Sequence, residues 1–471
     1  MAKKKIDKPK SNCGVTAIYG TPDAAHLAYL ALYALQHRGQ ESAGIVSYDG
    51  KLHKQTGQGL VADVFSDQER FKQLKGTWAI GHNRYSTTGS TQALNAQPLT
   101  FNNYMMGPFA IAHNGNFTNS GIIRKQLEKT GSLFQTTTDT EIIPHLIACS
   151  NKETISKRII EALKQITGAY SLVMLTRDGI YAARDPHGVR PLCIGKRQNT
   201  YCVVSETCAL DLLKAELVRE IQPGELIKID ENGITAFPFQ TQQPCYSCIF
   251  ELIYFARPDS RIFNDNVDRV RRKLGKILAL ESDVAADIVI SVPDSSNTAA
   301  LGYSRRSNLK FELGLIRNHY VGRTFIHPSQ NMRDFGVRVK FNAVKGILDG
   351  RRVVVVEDSI VRGTTLKQLV KHIRENGAKE VHVRVSSPPI VSPCFYGMDF
   401  PSKAELIANN KSIENIKTYL DCDSLHYLSH EGLLESVKPH GCGFCTACFT
   451  GTYPIPIEDK IGKYQHEQNE A

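Results

Sequence analysis

No stretch of the 471-residue sequence approaches 18 uninterrupted apolar residues. The best candidate, 24–35, is short and has His26 inside it, so a membrane span is not expected. Twelve cysteines are far too few for a disulfide scaffold. Charge of one sign is not concentrated either. The formal net charge is +10, and residues 1–12 alone hold five lysines against Asp7. Charge by itself therefore does not imply nucleic-acid binding, and a mildly basic surface suits small anionic substrates. The basic start has the look of a signal-peptide n-region. An apolar h-region does not follow, because Pro22, Asp23 and His26 interrupt it, so a cytoplasmic protein is expected. There is no internal repeat and no low-complexity tract. With 41% apolar and 22% charged residues, the composition is that of a globular chain of two to four domains.

Two patterns divide the chain. Residues 13–240 alternate in short apolar runs, among them 77–80, 110–112, 171–176 and 201–205, broken by turns such as Asp185-Pro186-His187-Gly188. Two longer helical stretches are predicted, 24–35 and 140–149. This reads as α+β with a mostly antiparallel sheet. Residues 239–247 are polar and turn-rich, and a boundary is placed there. Beyond it, Val267, Val270, Leu274, Ile277 and Leu278 keep helical spacing. Val353–Val356 is a strand buried on both faces, a helix follows through Leu366, Leu369, Val370 and Ile373, and Val381, Val383 and Val385 alternate as the next strand. Strand–helix–strand order predicts a doubly wound α/β sheet. The expected division is 1–12, 13–243, 244–456 and a polar tail, 457–471.

The most specific local string is Val353-Val354-Val355-Val356-Glu357-Asp358-Ser359-Ile360-Val361-Arg362-Gly363-Thr364-Thr365. A buried strand ends in two acids, and a small, hydroxyl-rich turn opens a helix. Successive amide N–H groups there, with the helix N-terminus behind them, can hold a phosphate. The two carboxylates suit ribose hydroxyls or Mg²⁺. The turn is not a GxxxxGK[ST] nucleotide loop. An ordinary strand–turn–helix capped by its acids is the competing reading. The string closely resembles the phosphoribosyl pyrophosphate (PRPP) motif of type I phosphoribosyltransferases. That resemblance assigns residues 357–365 to PRPP and departs from the family's usual pair of aspartates at Glu357.

Cys13-Gly14 follows the basic leader. A free cysteine, with a pKa of about 8.5, needs activation to act as a nucleophile. At a mature N-terminus its own α-amine, with a pKa of about 7.7–8.0, can supply the base. Alone, Cys13 would read as a buried structural residue. Three further strings change that: 35–45 (Leu-Gln-His-Arg-Gly-Gln-Glu-Ser-Ala-Gly-Ile), 81–87 (Gly-His-Asn-Arg-Tyr-Ser-Thr) and 112–116 (Ala-His-Asn-Gly-Asn). Together with Cys13-Gly14-Val15-Thr16 they resemble the class II glutamine amidotransferases, a branch of the N-terminal-nucleophile hydrolases built as an αββα sandwich. Arg84 can fork onto a substrate α-carboxylate. The Asn114 amide and the Gly115 N–H can form an oxyanion hole. Asp139 matches the family acid that holds the substrate α-ammonium. His37 and Arg38 could equally be fold-stabilising, and neither is assigned a catalytic role.

A glutaminase half followed by a PRPP half resembles the glutamine PRPP amidotransferases, in their propeptide and iron–sulfur form. The likeness runs from Cys13 to about Pro454. It implies that Cys13 releases ammonia from glutamine and that the ammonia displaces pyrophosphate from PRPP, giving 5-phosphoribosylamine, the first step of purine biosynthesis. It further implies Mg²⁺ at Ser295, Glu357 and Asp358, and a loop closing over PRPP with Tyr320 and Arg323. His319 stands where that loop usually has arginine, and Arg333, Arg338 and Lys340 could add charge for the pyrophosphate. Purine nucleotide inhibitors, a tetramer or dimer, and autocatalytic removal of residues 1–12 are also implied. Nucleic acid and membrane are not expected partners.

CxxC spacing alone would place zinc on Cys245 and Cys248 with two of Cys442, Cys445 and Cys448, and it argues for metal or redox chemistry over structural bridges. The family resemblance instead implies a 4Fe–4S cluster on Cys248, Cys394, Cys445 and Cys448, leaving Cys245 and Cys442 as bystanders. Two rival functions share parts of these motifs. One is another ammonia-using synthase on the same glutaminase half, against which the PRPP string argues. The other is a PRPP-sensing nucleic-acid regulator, against which Cys13, Arg84, Asn114 and Asp139 argue.

Overall fold

The computed structural model describes residues 13–85, 92–103, 106–318, 340–398, 400, 402–439 and 441–457. The N-terminal part contains two antiparallel sheets. In one the strand order is Glu216–Glu220, Cys193–Arg197, Thr200–Val204, Gly14–Tyr19, Trp78–Arg84, Ser42–Tyr48, Leu52–Gln58. In the other it is Gly233–Pro238, Glu225–Asp230, Gly179–Arg184, Gly168–Thr176, Gly107–Phe117, Leu99–Asn103. The period-2 alternation of the strands decides how they stack. Val15, Ala17, Val46 and Ile80 of the first sheet pack with Ala110, Ala112, Val173 and Leu175 of the second in one inner core. The alternate residues face outward. Ile18, Ile45 and Ala79 meet the helix Ala24–Ala34, and Leu172, Met174 and Phe117 meet Ile142–Cys149 and Ile155–Leu163. The result is the expected helix–sheet–sheet–helix sandwich.

Helix content exceeds the two stretches expected from sequence: Ser120–Lys129, Ile155–Leu163 and Thr207–Leu213 are helices as well. Ile155–Leu163 is amphipathic, burying Ile155, Ile159, Ala162 and Leu163, and the Thr154 hydroxyl accepts from Lys157 N at its start. Such nine-residue helices carry too few turns for their periodicity to stand out against the neighbouring strands.

The C-terminal part is built on a five-stranded parallel sheet, ordered Lys310–Phe311, Ile288–Ser291, Arg352–Glu357, Glu380–Val385, Ser424–Tyr427. The four valines behave as the pattern predicts. Val353 and Val355 pack on one face with Leu366, Leu369 and Ile373. Val354 and Val356 pack on the other with Val270, Leu274 and Ala300. Fully burying a valine contributes roughly 1.5–3 kcal/mol, so this strand anchors both layers. From Ile288–Ser291 the chain passes through the helix Asn297–Ser307 to one side; from Arg352–Glu357 it passes through Thr364–Glu375 to the other. The crevice at the carboxyl ends of these two strands is thus the switch point at which open α/β sheets take ligands.

The two parts meet over an apolar core that joins Ala169 and Val189 to Phe250, Tyr396 and Phe449. Cys245 and Cys442 form a disulfide, which corrects the expectation that the CxxC cysteines carry no bridge. Its physical basis is register: Tyr246–Cys248 and Gly443–Cys445 pair in parallel, with Tyr246 opposite Gly443, which brings the two preceding cysteines together. Among the described residues no helix is long and apolar enough to cross a membrane.

Candidate functional site

Cys13 lies immediately before Gly14–Tyr19, the strand paired with Trp78–Arg84 with Gly14 opposite Asn83. That register sets the thiol against the end of the neighbouring strand. Cys13 Sγ donates to Tyr85 O at 3.4 Å, and Tyr85 N–H donates back to Sγ at 3.5 Å. Arg84 and Asp139 are both close enough to act on the thiol electrostatically. Burial pushes the Cys13 thiol up to about 11, only partly offset by the Tyr85 backbone and the Arg84 charge. At neutral pH it is a thiol, and a nucleophile there needs a base.

The second sheet brings Asn114, Gly115 and Asp139 to the same place. His82 Nε2 and His113 O, 3.0 Å apart, tie the strand of Arg84 to that of Asn114 across the two sheets. Asp139 accepts from Phe117 N at 3.0 Å, which fixes its carboxylate beside the end of Gly107–Phe117. Asn114 is wholly buried, yet neither its Nδ2 nor its Oδ1 has a partner. A buried amide left unpaired costs about 1–3 kcal/mol, and such an exception calls for an explanation. Gly115 has φ +153°, and a Cβ there would lie 1.9 Å from Ala169 O. Only glycine can sit at this point of the strand.

Behind Cys13 is a charged network that sequence reasoning did not find. Arg38, fully buried, donates to Cys13 O at 3.2 Å, to Glu206, and to Glu251 Oε1 at 2.6 Å. Arg190 also reaches Glu251, at 3.2 Å. Burial alone would raise the Glu206 carboxyl, but His37 and Arg38 outweigh it and hold the group well below the usual carboxylate range. Glu251 stands 213 residues from Arg38 inside the run 249–255, where nothing local marks it as a charge partner.

The second centre lies at the switch point. Glu357 and Asp358 end their strand almost fully buried. Ser295 Oγ donates to Asp358 Oδ2, Ser296 Oγ to Glu357 Oε1 at 3.2 Å, and Ser359 Oγ to Asp358 Oδ1 at 2.6 Å. Ser295 is thus brought to the acids from the loop after the neighbouring strand. Gly363, at φ +75°, turns the chain into Thr364–Glu375 with Ile360 and Val361 packed beneath the turn. Arg362 lies 3.6 Å from Glu405. Tyr320, Arg323, His319, Arg333 and Arg338 fall outside the described residues, as do residues 1–12.

Cys248, Cys394, Cys445 and Cys448 line one cavity together with Phe250 and Tyr396. Cys248 faces Cys445 across the parallel strand pair. Burial pushes the Cys445 thiol up to about 12 and raises Cys248 and Cys448 as well. Cys248, Cys445 and Cys448, buried in this apolar chamber, would ionise only with positive charge among them, which fits a metal cluster. Among the described residues no group of three or more His, Cys, Asp or Glu is arranged to hold a metal ion. The cysteines ring the cavity instead of closing on one point.

Comparison with known proteins adds the family. Residues 82–212 match the model of the glutamine amidotransferase domain. The chain is 51% identical over 459 residues to amidophosphoribosyltransferase 2, chloroplastic, of Arabidopsis thaliana, covering 97% of this chain and 82% of that protein. It is 48% identical over 450 residues to the amidophosphoribosyltransferase of Bacillus subtilis, covering 94% of each. A solved structure of the B. subtilis glutamine PRPP amidotransferase, complexed with ADP and GMP, superimposes with TM-score 0.91 at 47% identity, covering 96% of this chain and all of that one.

Proposed function

The chain belongs to the amidophosphoribosyltransferase family, and from that premise we propose that it converts glutamine, PRPP and water to 5-phosphoribosylamine, glutamate and pyrophosphate. The observation that carries this reading is the pairing of two centres in one chain: a buried cysteine near an unpartnered Asn114 amide, and a carboxylate pair at the switch point of a parallel sheet.

In the first centre the α-amine of a Cys13 freed from residues 1–12 takes the thiol proton. With the thiol at about 11, roughly one molecule in 10⁴ would be thiolate at pH 7 without such a base. Sγ attacks the side-chain amide carbon of glutamine. Asn114 Nδ2 and Gly115 N–H receive the oxyanion, Arg84 holds the α-carboxylate and Asp139 the α-ammonium. The amine returns its proton to the departing ammonia, and water cleaves the thioester. In the second centre ammonia displaces pyrophosphate from C1 of PRPP, whose phosphate lies on the amides of 359–365. Free NH₃ would be protonated in bulk water at neutral pH, so the passage between the centres must exclude water. Mg²⁺ held by Ser295, Glu357 and Asp358 would screen the charge of the leaving pyrophosphate.

A 4Fe–4S cluster on Cys248, Cys394, Cys445 and Cys448 would tie the C-terminal segment to the body and plays no part in the steps above. Thiols ringing a cavity favour a polynuclear cluster over the single zinc that spacing suggested; stoichiometric zinc without iron and acid-labile sulfide would overturn this. The domains are proposed as 13–243 and 244–456. The cytoplasm is the proposed location, a reducing compartment that would keep the cluster thiols free and expose the Cys245–Cys442 bridge to reduction. Purine nucleotides are proposed inhibitors, and the assembly a homotetramer or homodimer.

The test is transfer of the label from amide-¹⁵N glutamine to the ribosyl product, with pyrophosphate release requiring both substrates. Absence of label in the product ends the proposal. Full activity with residues 1–12 still attached would end the α-amine mechanism alone.

A further inference from the structure

We infer that Gly397 is a positioning residue for glutamine hydrolysis: its backbone is the stop against which Gly115 rests. The two backbones touch. A Cβ on Gly397 would lie 2.9 Å from the Gly115 carbonyl carbon and 3.0 Å from its Cα. Gly115 also abuts Ala169 O, where its own Cβ would fall. Gly115 is therefore in close contact with both the neighbouring strand of its own sheet and a loop some 280 residues later in the chain.

That loop is held by several independent bonds. Asn116 Nδ2 donates to Phe395 O at 2.9 Å. Arg190 Nε donates to Tyr396 O at 2.9 Å, and the same guanidinium reaches Glu251. Tyr396 Oη donates to Ile455 O at 2.7 Å and accepts from Ile455 N at 3.0 Å. Thr118 Oγ1 donates to Pro456 O at 3.0 Å, so residues 116–118 are gripped from the same side. Gly397 has φ +101°, so the approach depends on glycine twice, for its conformation and for its missing Cβ.

The consequence follows from what an oxyanion donor must do. Its N–H must be within hydrogen-bond reach of the place where charge develops, and a shift of a few tenths of an ångström weakens the transition state more than the bound substrate. A residue that sets where Gly115 lies, without touching glutamine, acts on kcat rather than on KM. The same loop carries Cys394, so it joins the thiol-lined cavity to the glutamine site through the Gly115–Gly397 backbone contact and the Asn116 bond to Phe395 O. This inference rests on the reading of Gly115 as an oxyanion donor.

The experiment is Gly397→Ala in the full chain, beside the unaltered protein. Iron content, N-terminal sequence, glutamine-dependent and ammonia-dependent pyrophosphate release are measured for each. The expected result is a kcat with glutamine lowered about 10–100-fold, by analogy with partial loss of an oxyanion donor. KM for glutamine should stay within about threefold and ammonia-dependent kcat within about twofold. Inhibition by the γ-aldehyde analogue of glutamine, whose tetrahedral adduct with Sγ places an oxygen in the same hole, should weaken by about the same factor as kcat. Should Gly397→Ala fail to fold, Asn116→Ala, which removes the bond to Phe395 O, must show the same split. Wild-type kcat on glutamine in a folded variant, or an equal loss with glutamine and with ammonia, overturns the inference. An unaltered protein that transfers no amide nitrogen overturns the parent reading instead.

Discussion

In the Cys13 centre the Asn114 amide is left without a partner, whereas around Asp358 polar groups are bonded to one another. Asn114 is buried with both ends of its amide unpaired, and Gly115 is in close contact with both Ala169 and Gly397. Ser295, Ser296 and Ser359, by contrast, all donate to the two carboxylates at the end of the valine strand. The first centre has accepted its desolvation cost during folding and needs no rearrangement when charge develops. The second must exchange internal bonds for bonds to its ligand. Substitutions in the first should therefore act on turnover, and those in the second on PRPP affinity.

Cys13→Ala is the harshest test of that division. Glutamine-dependent activity should fall by at least about 10⁴-fold, since no other group supplies the covalent step. Ammonia-dependent pyrophosphate release should continue. Loss of both in a folded variant would mean that the two centres cannot work apart.

Asn114→Ala sharpens the same contrast. Removal of one oxyanion donor costs about 10²–10³ in kcat. KM for glutamine should change little, because an oxyanion donor acts on charge that develops only in the transition state. A variant that raises KM and spares kcat would show that Asn114 binds substrate rather than transition state.

The wall behind the first centre gives a pH signature. Glu206 is held below the ordinary carboxylate range by His37 and Arg38, against the cost of its burial. A depressed carboxyl contributes stability above its unfolded value, about 4.3, and loses it as pH falls through that value toward the folded one. Melting temperature should thus drop as pH is lowered from about 5. Glu206→Gln should be less stable at pH 7 by about 2–3 kcal/mol, because Arg38 stays buried with one partner fewer, and should lose less on acidification. Parallel acid limbs for the two proteins would remove Glu206 from the account.

What could be read from the sequence follows distance along the chain. The antiparallel strands and the parallel sheet were legible because alternation and valine runs are local, and 352–357 and 380–385 fall where the pattern put them; the sandwich layering came from the family resemblance alone. Cys13, Arg84, Asn114 and Asp139 stand in short strings, and of these the charges of Arg84 and Asp139 act on the Cys13 thiol. Glu206, Glu251 and Gly397 were not legible. Nothing in the local string marks any of the three, and the contacts that tie them to the Cys13 centre come from residues 168 to 282 positions away, Glu206 and Glu251 at Arg38 and Gly397 at Gly115. The Cys245–Cys442 bridge was hidden in the same way: it depends on a strand pairing between the two ends of the second half.

The smallest effect tests the second centre. Ser359 Oγ donates to Asp358 Oδ1 at 2.6 Å and sits at the first position of the turn, where a phosphate would compete for it. Ser359→Ala removes a hydroxyl that serves the carboxylate in the empty centre and the ligand in the filled one. The two losses partly cancel, which leaves about 1 kcal/mol. KM for PRPP should rise about three- to tenfold, with kcat within about twofold and glutamine hydrolysis unchanged. If kcat fell and KM did not, the hydroxyl would be tuned to the transition state like Asn114, and the contrast between a centre built in advance and one completed by its ligand would no longer hold.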